Sequence, residues 1–141
     1  MDCRLLAAGV LFILGLMSAP GRADEPAKKL SDAEITKLVV GKWYEERKGE
    51  GMELKGTTTY RKDGTFSGEA TLKLRDESHK VSVTGTWKVA DGSLIETVEA
   101  CDPPILKKGH VSTDQVLAVT AKALKLKEKS GKEMIKTRIA E

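Results

Sequence analysis

Cysteine is scarce in this chain: 141 residues hold two, Cys3 and Cys101. Cys3 precedes an apolar run, so it cannot be the lipid-acceptor cysteine of a lipoprotein, which would follow one. If that run is cut away, Cys101 stands alone, and an intrachain disulfide is excluded even in an oxidising compartment. Cys101 is then either a quiet loop thiol or a point of intermolecular pairing. Aromatic residues are few, at 4%, which argues against an interior packed shut by rings. A dominant charge is missing as well. Lys and Arg number 24 against 21 Asp and Glu, with the signs interspersed. Without a basic stripe or polybasic patch, nucleic acid and an anionic membrane surface are not expected as partners.

The one long apolar segment opens the chain. Arg4 supplies a positive start, Leu5 to Met17 is almost unbroken hydrocarbon, and small Gly21 and Ala23 follow at the positions a signal peptidase reads. This predicts a signal peptide over 1–23, removed after Ala23, and hence a secreted or periplasmic protein. The run is shorter than the roughly 20 apolar residues a spanning helix needs, so no integral membrane span is expected after cleavage. Removal takes Arg4, Arg22 and Asp2, leaving 22 basic and 20 acidic residues in 118 positions. That length suits one domain with a modest core.

Residues 24–30 read as a polar lead-in, and 31–141 as the domain. Ser31-Asp32-Ala33-Glu34 has the form of a capping box, and Ile35, Leu38 and Val39 make one apolar stripe, predicting a helix over 31–39 ended by Gly41. The punctuation then changes to the strand kind. Asp63-Gly64 and Asp91-Gly92 are strong hairpin turns, Ser130-Gly131 is a weaker one, and Asp76 to Ser78 reads as a polar turn. Between them polarity alternates with period two, most cleanly over 65–75 and 79–90. Strands are expected near 42–48, 52–61, 65–75, 79–90, 93–100, 113–120, 123–129 and 133–139. The stretch 114–129 has helix-favouring composition. Its β-branched residues and the alternation of Leu124-Lys125-Leu126-Lys127 favour two strands. Eight strands joined mostly by tight turns suggest an all-β, antiparallel up-and-down barrel, because closure removes both exposed edges. Such a barrel has room for its own side chains or one small ligand.

The segment Leu38-Val39-Val40-Gly41-Lys42-Trp43-Tyr44 resembles the start of a lipocalin domain, where a short helix leads into Gly-x-Trp on the first strand. Lys136-Thr137-Arg138-Ile139 is similar to the last-strand segment of that family, whose arginine packs over the tryptophan. The resemblance is to short bacterial lipocalin-like domains in particular. It implies a barrel closed at one end by Gly41, Trp43 and Arg138. Gly85-Thr86-Trp87 repeats Gly-x-Trp within a strand, the family's aspartate-and-aromatic turn motif has no good copy, and its C-terminal helix has no room.

Catalytic and metal constellations are absent. His79 and His110 lack ligand spacing, and Asp76, Glu77 and His79 read as a solvated turn. No serine sits in a nucleophile elbow, no glycine-rich loop opens a helix, and Cys101 with His110 has no third orienting group. No enzymatic activity, metal or cofactor is expected. Alternation from Trp43 sends Glu45 and Arg47 inward, and Leu54 and Tyr60 share the inner face of the second strand. With Phe66, Leu72, Val83 and Trp87 they form a candidate cavity lining, each also open to an ordinary core role. On the fifth strand either Leu94, Glu96 and Val98 or Ile95, Thr97 and Glu99 face in. Two functions compete: a carrier of a small, partly apolar (hydrophobic or amphipathic) ligand, or a filled barrel acting through its outer surface and the 101–110 loop. The loop, with Pro103-Pro104 and Lys107-Lys108, is the longest connection and the best protruding surface.

Overall fold

A computed structural model describes residues 29–140; the expected signal peptide, its expected cleavage point and most of the lead-in lie outside the described residues. One helix, α1 (Asp32–Val39), precedes eight strands: β1 (Gly41–Gly49), β2 (Met52–Tyr60), β3 (Thr65–Leu74), β4 (Glu77–Ala90), β5 (Ser93–Asp102), β6 (Val111–Val119), β7 (Ala123–Lys127) and β8 (Glu133–Arg138). Each strand pairs antiparallel with the next, and β8 returns to β1, so the sheet is a closed barrel. The 114–129 stretch is β6 and β7, with Leu124 and Leu126 wholly buried, as alternation requires. The β3–β4 turn lies at Arg75-Asp76, where Arg75 has positive φ, so His79 is already in β4 rather than in a turn.

Two irregularities explain what alternation alone left open. Thr84 pairs with Ala100 and Gly85 with Val98, so Glu99 is an extra residue in β5. Before the bulge Leu94 and Val98 are buried, and Glu96, of the same parity, lines the lumen. In β6, Leu117 is the extra residue between Val116 and Ala118, which lets Val116 and Val119 both pack on the core. Gly85 serves a close approach. A Cβ there would lie 2.0 Å from the Thr97 carbonyl oxygen.

Helix α1 plugs one end. The Ser31 hydroxyl accepts from the Glu34 amide at 3.2 Å and Glu34 accepts from the Ser31 amide at 2.9 Å, completing the capping box. Ile35 and Val39 turn inward beside Trp43. The Asp32 carboxylate accepts from the Asp91 and Gly92 amides at 3.0 and 2.9 Å, tying the helix to the β4–β5 hairpin. Val40 rather than a left-handed residue caps the helix, and Gly41 opens β1 instead.

Aromatic rings are few but concentrated. Trp43, Tyr60 and Trp87 are buried in the closed half, with Tyr60 and Trp87 edge to face at 5.3 Å, and Phe66 stands where that half meets the open one. The first three fill the closed half with Leu94, Leu124 and Leu126. Outward positions such as Thr59, Ser67 and Thr84 are polar, the reverse of the apolar-out face of a membrane barrel. Among the described residues no helix is long and apolar enough to cross a membrane.

Candidate functional site

The closed end is built around three residues far apart in sequence. The Trp43 indole is fully buried, and its Nε1 donates to the Val39 carbonyl at 2.7 Å. The Arg138 guanidinium lies 4.3 Å from the Trp43 ring centre. It also donates to the carbonyls of Ala121 at 2.7 Å, Val40 at 2.9 Å and Leu38. One cation thus satisfies carbonyls at the end of α1, where its charge also suits the helix dipole, and covers an indole face. Gly41 makes room for it. Its φ is +137°, and a Cβ there would stand 2.1 Å from Arg138 Nη1.

At the opposite end the lumen is open. A cavity of about 410 Å3 has a lining that includes Glu45, Arg47, Phe66, Val83, Glu96, His110, Asp114, Glu128, Lys129, Met134 and Lys136. That is within the size range of small-molecule sites. Of the sequence-derived candidates, Glu45, Arg47, Phe66 and Val83 line it. Tyr60 lies just behind the wall, its hydroxyl donating to Glu96 and accepting from Lys136 Nζ at 2.9 Å.

Three candidates are not cavity residues. Trp87 fills the closed half, donating from Nε1 to the Arg61 carbonyl at 3.0 Å. Leu54 pairs with Leu72, and Leu72 with His79. The β4–β5 ladder ends at Ser82 with Asp102. Leu54 and Leu72 are half-buried beyond the end of the β4–β5 ladder, and neither is among the residues that line this cavity.

The cavity is more charged than its apolar candidates suggested. Arg47 binds Glu45 at 3.1 Å and Glu128 at 2.8 Å, and approaches the Met134 sulfur at 3.0 Å. These contacts bridge the seam where β1 and β8 share only the register pairs Trp43–Arg138 and Tyr44–Thr137. Lys136, 5% exposed, sets its amine 3.6 Å from Glu45. Burying an ammonium is costly without partners, and here a carboxylate and a phenol supply them. Burial, reinforced by Glu96, pushes the Tyr60 phenol well above its ordinary range, so it stays a neutral donor.

The Asp114 carboxylate has no hydrogen bond or salt bridge among the described residues. Burial first, then the charges of Glu96 and Glu128, raise its carboxyl above the usual aspartate range. A raised folded-state value means that the folded chain holds the proton more tightly than the unfolded one. Ionisation therefore costs stability, and the cost grows as pH climbs from the unfolded range of about 4. Asp114→Asn is expected to raise the melting temperature at pH 7 by a few degrees, with solvent screening keeping the gain small. The gain should vanish below about pH 4, where both forms are neutral. An Asn variant less stable at pH 7, or equally shifted at both pH values, would contradict this electrostatic account.

No family model and no curated protein matches the chain. Among solved structures it is similar to a lipocalin-like protein from Bacteroides uniformis ATCC 8492, at 18% identity, over 72% of this chain and 99% of that one, with a TM-score of 0.49. The chain's own layout is a lipocalin-like β-barrel: helix, Gly-x-Trp, eight closed strands, and a last-strand arginine over the tryptophan.

Proposed function

We propose that the chain is an exported binding domain that carries a small amphipathic molecule in the open half of the barrel. One observation carries the reading: the apolar core is concentrated in the closed half, and beyond it lies a cavity of about 410 Å3 with both charged and apolar walls. Phe66, Val83 and Met134 offer hydrocarbon contact, while the charged groups offer orientation. Carriage rather than catalysis suits this arrangement. Glu45 and Glu128 are taken up in ion pairs and Glu96 in hydroxyl contacts, and among the described residues no nucleophile is paired with a base.

Denaturing extraction of the purified protein, followed by mass spectrometry, tests for a retained ligand, and displacement of an environment-sensitive fluorescent lipid tests the empty cavity. A bound small molecule or saturable displacement is expected. A protein that yields nothing and displaces nothing would favour the alternative, a barrel acting through its surface. Cys101 and Asp102 end β5, so the loop is shorter than the expected 101–110, and the exposed Ile105 on it is the feature that supports that second reading. Export is tested separately. The amino terminus of the protein recovered outside the cytoplasm should be Asp24.

A further inference from the structure

The balance of charge in the cavity points to the kind of molecule it would hold. Arg47 is engaged by Glu45 and Glu128, and Lys136 by Glu45 and the Tyr60 hydroxyl. The two cations inside the lumen therefore already have acceptors, whereas Lys129, the third basic residue of the lining, stands exposed to solvent. An anionic ligand reaching past Lys129 into the lumen would compete for these cations with Glu45 and Glu128 and leave half-buried carboxylates without a counter-charge, which is unfavourable.

The opposite holds for Glu96 and Asp114. Glu96 accepts only from neutral hydroxyls, those of Tyr60 and, at 3.4 Å, Ser112. Asp114 faces the same cavity from β6, which pairs Leu94 with Asp114 and Glu96 with Ser112, so the two carboxylates are diagonal neighbours. Neither has a cation of its own within salt-bridge distance among the described residues. Repulsion between them is relieved by protonation or by a positive guest.

Resting on the carrier reading, we propose that the guest is a small organic cation, an amine or guanidine with an apolar end. Its charged head meets Glu96 and Asp114, and its hydrocarbon lies against Phe66, Val83 and Met134. Charge-assisted hydrogen bonds in a partly desolvated cavity are stronger than neutral ones, so the head group decides selectivity. A metal ion fits less well. Among the described residues no three His, Cys, Asp or Glu side chains converge as a metal site would require.

Three fluorescent probes with one dansyl body test this in the purified mature chain: a dansyl alkylamine, its N-acetylated neutral form, and a dansyl alkylcarboxylate of equal length. The amine should bind at least tenfold more tightly than either of the others. Asp114→Asn should reduce amine affinity tenfold or more while leaving the neutral probe within about twofold, and its melting curve checks that it is folded. Val83→Trp, which fills the cavity, should abolish binding of all three probes. Equal or tighter binding of the neutral or anionic probe overturns the cation proposal and leaves the carrier reading standing. Binding that survives Val83→Trp in a folded protein overturns both, because the probe then sits elsewhere.

Discussion

Trp43→Ala is expected to cost about 3–5 kcal/mol, the range for removing a large buried aromatic. The indole is fully buried, packs between α1 and the barrel strands, and donates to the Val39 carbonyl. Its loss would leave a void, an unsatisfied carbonyl at the end of the helix, and a guanidinium with no ring to cover. The check is a urea unfolding curve. Trp43→Phe keeps a ring and should lose less, because mainly the indole hydrogen bond and part of the volume go; it also remains measurable if the alanine variant fails to fold. A phenylalanine variant as unstable as the alanine one would mean that ring packing is not what Trp43 contributes.

Gly41→Ala is the second large expected effect, and its cause is separable. A residue at φ +137° occupies backbone space that is essentially glycine-only, a strain of roughly 1–3 kcal/mol. The new methyl would also strike Arg138 Nη1, forcing the guanidinium off the Val40 carbonyl. A double-mutant cycle with Arg138→Ala divides the two contributions. In the Arg138→Ala background the methyl has space, so Gly41→Ala should cost only the backbone strain and the cycle should show coupling of about 1 kcal/mol or more. Strictly additive losses would place the whole effect in the backbone and remove steric crowding from the account.

Much of this architecture was legible because local signals agreed with the global fold. Asp91-Gly92 called for a tight hairpin, and both residues have positive φ there. Leu124 and Leu126 alternated with lysines, and burial followed that alternation over helix-favouring composition. The polar cavity was less legible. Lys136 was within reach of the sequence, since it shares the inward parity of β8 with Arg138, and a residue over Trp43 fixes that face. A long basic side chain is usually solvated, however, and nothing local to Lys136 names Glu45 or Tyr60 as its partners. The β5 and β6 bulges were harder. A single extra residue reverses parity partway along a strand, and its position is set by the neighbouring strand rather than by its own sequence. Glu96 and Asp114 lie on those two strands. The cavity wall thus depends on cross-strand register, whereas the closed end depends on a short motif.

The clamp formed by α1 also settles how the molecule can be tethered. Ser31 begins the helix lying across the plugged pole, and Arg138 ends the last strand at that same pole, so both ends of the described barrel lie on its closed side. The mouth faces the other way. A fusion partner, bead or surface attached through either end would stand behind the vessel and leave its entrance unobstructed.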